Sequence, residues 1–149
     1  MSTLDELFDS ISKKIRDNKN LDYYIPLVND YTGTDWKKYV SFSDIKYKKN
    51  LVKRNENIEM LIICWNNNQS SGIHDHPPNG CILKILDGEL EENEYINNNK
   101  MEIVNKKICI KNSIGYQEGK DGLHDIINKD IKTISLHIYS PPNYKLTFY

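Results

Sequence analysis

From Tyr47 onward the chain is written in short runs rich in isoleucine, valine and tyrosine, separated by clusters of Asn, Gly and Lys. Runs of this length and composition read as strands, and their spacing is that of an all-β domain. Strands are predicted near 47–54, 58–66, 72–76, 81–87, 89–96, 101–110, 114–117, 123–128, 132–140 and 144–149. The breaks carry turn chemistry: Asn66-Asn67-Asn68, Pro77-Pro78-Asn79-Gly80, Asp87-Gly88, Asn97-Asn98-Asn99 and Asn128-Lys129-Asp130. Asp87-Gly88 is a strong hairpin signal. Roughly ten short antiparallel strands predict a mainly β fold, a small β-barrel or jelly roll.

Residues 1–45 have a different texture. Thr3-Leu4-Asp5-Glu6 is a capping box, and Leu4, Leu7, Phe8, Ile11 and Ile15 recur at helical spacing, which predicts an amphipathic helix over 3–18. A second short helix is expected between Leu21 and Asp30, begun or broken near Pro26, and a third from Asp35 with Trp36, Tyr39 and Val40 turned inward. These make a helical cap on a barrel formed by 46–149. Nothing in the 149 residues reads as a repeat or a linker, so one domain is expected.

The 20 basic and 21 acidic residues nearly cancel, which argues against nucleic acid or a membrane surface as the partner and favours a small molecule. The longest apolar run, Met60 to Trp65, is far too short to span a bilayer. Asp5 and Glu6 stand where a signal peptide would need a basic and then an apolar region. Cys64, Cys81 and Cys109, an odd number at irregular spacing, make no disulfide framework, so a cytoplasmic location is expected. The near-neutral charge and the absence of a heptad seam suggest a monomer.

All four histidines, His74, His76, His124 and His137, lie in the strand-rich part. Residues two apart on a strand point to one face, so His74 and His76 can deliver two imidazoles to one point. His124, after Gly122-Leu123, opens an apolar strand that could enter the same barrel. Three neutral imidazoles leave a metal's other positions open and suit zinc, iron, copper or nickel. Without a carboxylate ligand such a site keeps the full charge of a divalent ion, which favours thiolate, carboxylate or hydroxide. Ser135, His137 and Tyr139 also share one strand face.

Gly72-x-His74-x-His76, then Cys81 and Gly88, follows the first motif of the cupin superfamily, with cysteine where most cupins place glutamate. His124 and Asn128 match the end of the second motif, without its usual preceding proline and glycine. Ile73-His74-Asp75-His76, Cys81-Ile82-Leu83-Lys84, Gly122-Leu123-His124 and Ser135 to Pro142 resemble the cysteine dioxygenase family, non-haem iron enzymes that oxidise cysteine to cysteine sulfinate. The resemblance covers the last two-thirds of the chain. It implies a cupin-type barrel, Fe(2+) held by His74, His76 and His124, and a relay of Ser135, His137 and Tyr139 whose phenol faces the metal. It implies further that Cys81 can be joined to Tyr139 by a thioether, that Ser140-Pro141 is cis, and that Tyr47 and Trp65 line the pocket.

Two departures from the family stand out. Lys49 occupies the position of the arginine that holds the substrate carboxylate, and a lysine is a flexible point charge rather than a two-pronged fork. Arg54 lies five residues along the strand, on the wrong face by simple alternation. The chain also stops at Tyr149, where the family runs on through a longer segment over the pocket, which leaves the cover of the pocket open. The expected activity is dioxygenation of L-cysteine. The alternatives are another small thiol, 3-mercaptopropionate or cysteamine, or a non-catalytic cupin that senses metal or thiol.

Overall fold

The computed structural model describes residues 1–17 and 20–149. Helix α1, Leu4–Lys14, begins where predicted: the Thr3 hydroxyl accepts the Glu6 N–H at 3.1 Å, and Asp5 and Glu6 sit in the first turn, favourable to the helix dipole. The predicted helix runs longer, and its last position, residue 18, lies outside the described residues. A 3-10 turn, Leu21–Tyr24, runs into α2, Ile25–Asp30, with Pro26 in the first turn where its missing N–H costs nothing. The third predicted helix is a single 3-10 turn, Asp35–Tyr39. Asp35 ties it back, accepting the Leu4 N–H at 2.8 Å and the Tyr31 hydroxyl at 2.6 Å.

The strands among the described residues are β1 Lys48–Arg54, β2 Glu59–Trp65, β3 Gln69–Ser70, β4 Cys81–Asp87, β5 Leu90–Asn98, β6 Lys100–Cys109, β7 Ile114–Gln117, β8 Leu123–Asn128 and β9 Thr133–Tyr139. They form two antiparallel sheets, ordered β1-β2-β9-β4-β7 and β3-β8-β5-β6. The fold is mainly β and of the jelly-roll type, as predicted, but it is two facing sheets rather than a closed barrel.

Alternation along β2, β4 and β9 separates two cores. Leu61, Ile63, Trp65, Leu83, Ile85 and Tyr139 turn toward the four-stranded sheet and meet Leu90, Cys109 and Ile126. Met60, Ile62, Cys64, Ile82, Leu136 and Ile138 turn the other way, against Leu7, Phe8, Ile11, Leu21 and Val28 of the helical cap. The cap therefore explains why β2 and β9 are buried at every position, and why β2 reads as a continuous apolar run from Met60 to Trp65. Each such aliphatic side chain contributes about 1.5–3 kcal/mol of burial. Lys84, buried on the cap side of β4, donates to the carbonyls of Val28 at 3.0 Å, Asn29 at 3.3 Å and Tyr31 at 2.7 Å, which caps the C-terminal end of α2 with a cation.

Three sequence expectations fail. Residues 72–76 and 144–149 are not strands; they contribute only isolated bridges, His74 to His124 and His74 to Phe148. Gly72, at φ 78°, breaks the ladder before His74, and Pro77 and Pro78 deny it donors afterwards. Asp87-Gly88 is a tight turn, but not a hairpin: β4 and β5 lie in different sheets, so the turn carries the chain across the sandwich. A side chain at Gly88, φ 86°, would run into the Thr133 hydroxyl. The short β3 was not predicted, and the Ser140-Pro141 bond is cis, as the resemblance implied.

Candidate metal centre and substrate pocket

His74, His76 and His124 place one ring nitrogen each within 4.8 Å of one another, and all three are buried. His74 and His124 are held by a two-way backbone bridge, N–H to O at 3.0 and 3.3 Å, and His76 is fixed by its N–H to the Gly119 carbonyl at 3.1 Å. The Nε2 atoms converge, with His124 Nε2 at 3.0 Å from that of His76 and 3.1 Å from that of His74.

Each Nδ1 is turned outward to an acceptor. His74 Nδ1 meets the Gly72 carbonyl at 2.8 Å, His76 Nδ1 the Gly122 carbonyl at 2.6 Å, and His124 Nδ1 the Glu92 carboxylate at 2.6 Å. Protons on the three Nδ1 atoms leave the three Nε2 lone pairs pointing to one centre, the tautomer a metal needs. Burial, then the neighbouring His124, lowers His74 to about 3 and His76 to about 2, so both are neutral donors at physiological pH. This donor set, three imidazoles and no carboxylate, fits a divalent transition metal.

Glu92 is a member of the site that sequence reasoning missed. It lies on β5 beside β8, is buried, and is paired with Lys107 at 3.1 Å, directly opposite on β6. Burial raises its carboxyl, but the His124 N–H and the Lys107 ammonium outweigh that and hold it below the usual range. The signal was parity: Glu92 shares a strand face with Leu90, so an inward Leu90 requires an inward carboxylate.

The registers of β1, β2, β9 and β4 stack the other predicted residues in rows. One row reads Leu51, Leu61, His137, Leu83; the row beyond it toward the open end reads Arg54, Glu59, Tyr139, Cys81. Lys49 starts a lower row with Ile63, Ser135 and Ile85. Ser135, His137 and Tyr139 thus share the inner face. The Trp65 indole N–H donates to the Ser135 Oγ at 2.9 Å, Ser135 Oγ lies 2.8 Å from His137 Nε2, and His137 Nδ1 lies 3.4 Å from the Tyr139 hydroxyl. With the Ser135 hydroxyl donating to Nε2, the His137 proton sits on Nδ1 and is directed at Tyr139. Burial, reinforced by the Lys49 charge, drives His137 well below its ordinary range, and burial keeps the Tyr139 phenol protonated. Cys81 is in hydrogen-bonding contact with Tyr139, and burial pushes its thiol up to about 12.

Tyr47 stacks on Trp65 at 4.7 Å between ring centroids. Both line a small chamber with Lys49, the three histidines, Cys81, His137, Tyr139 and Leu146, whose accessible volume is about 10 Å³. Lys49, Tyr139 and Leu146 also line the larger vestibule outside it, about 350 Å³, together with Arg54, Glu59 and Tyr144. Burial lowers the Lys49 ammonium below its usual range, and the Glu59 carboxylate opposes that.

The expected position of Arg54 on the wrong face is incorrect. Register shifts between Leu51 and Lys53, where Val52 is bulged out, and this reverses the alternation. Lys53 is thereby turned toward α1, with Asp5 at 3.6 Å and Asp9 at 3.8 Å, and Arg54 faces the vestibule on the same side as Lys49. Residues 144–149 also close on the site: Leu146 lines the chamber, and Phe148 packs against His74 at 5.6 Å between centroids.

A family model described as cysteine dioxygenase type I matches residues 2–149. Human cysteine dioxygenase type 1 is 34% identical over 116 residues, 73% of this chain and 58% of that protein; the zebrafish protein is 30% identical over 152 residues, 95% of this chain and 73% of its own. The chain thus spans less than two-thirds of the human relative it matches. In fold it is similar to a Klebsiella pneumoniae protein with a double-stranded β-helix domain, TM-score 0.63 at 16% identity over 75% of this chain and 86% of that one. A cupin superfamily protein from Desulfitobacterium hafniense gives a TM-score of 0.55 at 11% identity, covering 68% and 83%.

Proposed function

We propose, from the premise that this chain belongs to the cysteine dioxygenase type I family, that it is an iron(II)-dependent thiol dioxygenase whose first substrate is L-cysteine. The observation that carries this is the convergence of three Nε2 atoms at the floor of a chamber that opens, past Tyr139 and Lys49, into a vestibule. Iron(II), when held by His74, His76 and His124, would supply open coordination positions at which a thiolate and dioxygen can meet. The net reaction transfers both atoms of dioxygen to sulfur, the thiolate becoming a sulfinate and supplying all the electrons.

The chain's own residues would do the positioning. A chamber this small admits the sulfur end of a substrate and leaves its carboxylate near the vestibule, where the Lys49 ammonium can meet it. Tyr139, kept protonated, offers a hydroxyl donor to oxygen atoms of the reacting groups; Ser135 and His137 hold that hydroxyl, and Trp65 anchors Ser135. Tyr47 and Trp65 form an aromatic wall that keeps water from the chamber. Cys81 stands beside Tyr139, so the thioether between them belongs to this reading. The same reading makes the protein a cytoplasmic monomer acting on a small thiol and dioxygen, without nucleic acid or membrane. No helix among the described residues is long and apolar enough to cross a membrane.

Purification without oxygen, loading with iron, and mass spectrometry of products from cysteine, cysteamine and 3-mercaptopropionate in air test the proposal. Cysteine should gain two oxygen atoms. A folded, iron-loaded protein that oxygenates none of the three thiols would refute it, and retention of both metal and turnover in His124→Ala would remove His124 from the ligand set.

A further inference from the structure

The vestibule holds two cations and one anion, and the anion is fully engaged by only one of the cations. Arg54 Nη2 and Nε donate to Glu59 Oε2 at 2.9 and 3.0 Å. Glu59 Oε1 accepts the Asn143 backbone N–H at 3.0 Å. Lys49 lines the same vestibule, yet it has no carboxylate within 4.0 Å among the described residues. We infer that Arg54 is a positioning residue: by occupying Glu59 it leaves the Lys49 ammonium unpaired, and so available to the carboxylate of an incoming thiol. The inference rests on the reading of Lys49 as the carboxylate anchor.

Glu59 is buried, in register with Tyr139, and its negative charge is already felt by Lys49. A buried carboxylate stripped of its partner is strongly disfavoured and takes the nearest mobile cation. Lys49, a point charge on a four-carbon stem, is that cation. Losing Arg54 would therefore redirect Lys49 from the substrate to Glu59. Glu59 therefore needs a second cation if Lys49 is to stay free. The β1 bulge at Val52 supplies it, because without the bulge Arg54 would face α1. Arg54 is not itself the substrate's anchor: its Nε–H and one Nη2–H are spent on Glu59, which neutralises its charge locally.

The test compares the iron-loaded chain with Arg54→Gln, Glu59→Gln and the double variant, all checked for folding by near-ultraviolet circular dichroism. Two measurements are made: the rate at which limiting acetic anhydride labels Lys49, read by peptide mass spectrometry, and the steady-state constants for cysteine and cysteamine, the latter lacking the carboxylate. In Arg54→Gln, Lys49 labelling should slow several-fold and the KM for cysteine should rise about tenfold with kcat held within about twofold, a loss of binding that cysteamine does not share. Glu59→Gln and the double variant should both stay within about twofold of the parent chain. Unchanged Lys49 labelling in Arg54→Gln overturns the inference, as do equal losses with both thiols. A double variant as impaired as Arg54→Gln also overturns it and makes Arg54 a direct anion contact. If the parent chain oxygenates no thiol, the functional reading falls, and the labelling arm still decides the Lys49–Glu59 relationship.

Discussion

Asp75 and Thr147 exchange a reciprocal pair of bonds: the Thr147 N–H donates to Asp75 Oδ1 at 2.8 Å, and the Asp75 N–H donates to the Thr147 carbonyl at 3.1 Å. The Tyr144 hydroxyl adds a bond to Asp75 Oδ2 at 2.9 Å, and the Tyr149 N–H donates to the Ile73 carbonyl at 3.0 Å. Asp75 lies between the two candidate ligands His74 and His76. While their rings join the three-histidine cluster, its carboxylate grips residues 144–149. The histidine segment and the tail are thereby one unit, and the tail supplies Leu146 to the chamber.

Asp75→Ala should therefore loosen the tail rather than unfold the sandwich. Removing a buried carboxylate that accepts two bonds should cost about 2–4 kcal/mol in denaturant unfolding. Limited proteolysis should cut after Tyr144 in the variant at a protease concentration that leaves the parent chain intact. Equal cleavage of both would show that the tail is held by other contacts.

Glu92 holds the ring of His124 through Nδ1, leaving Nε2 turned toward His74 and His76. Glu92→Gln keeps an acceptor but loses the charge, and competition against a chelator should show metal affinity about 10–100-fold weaker. Bound metal stabilises the fold by mass action, so the increase in Tm on adding metal should shrink in parallel. Lys107→Met, which leaves Glu92 anionic, should weaken affinity less. Unaltered affinity in Glu92→Gln would reduce the 2.6 Å contact to packing.

The contrast between legible and hidden parts follows from what a pattern in sequence encodes. β-branched runs placed nearly every strand, because burial and alternation are local properties. The histidine cluster could be read because His74 and His76 stand two residues apart and the motif match carried His124. Turn chemistry at Asp87-Gly88 says that the chain reverses, not which sheet the next strand joins; that choice is made by β5 pairing with β6 and β8. The bulge at Val52 has no glycine or proline to announce it, so counting by twos put Arg54 on the wrong face. Glu92 and Asp75 are bonded to residues 32 and 72 positions away, a separation that no local pattern reports.

Lys84 joins the cap to the sandwich through three carbonyls at the end of α2. Lys84→Met keeps the stem that fills the space but removes the donor, leaving those carbonyls without their cation. A loss of about 2–4 kcal/mol is expected, with amide exchange accelerating in α2 and in the Leu21–Tyr24 turn before β2 and β9. Uniform acceleration across the chain would mean that cap and sandwich open as one unit.

The Cys81 and Tyr139 side chains face each other across the β4–β9 register, which lines up a covalent prediction. Joining Sγ to a ring carbon beside the phenol oxygen removes the thiol hydrogen and one ring hydrogen, and the two electrons released go to dioxygen. Protein turned over with iron, thiol and air should contain a fraction lighter by two hydrogens, absent from Cys81→Ser and Tyr139→Phe and from protein kept anaerobic. The link would fix the phenol near the metal, so Cys81→Ser should lower kcat several-fold while leaving metal affinity within about twofold. Peptide mapping would locate the bond. An active, air-exposed protein whose mass never departs from that of the unmodified chain would leave Cys81 as a buried thiol that only packs against the phenol.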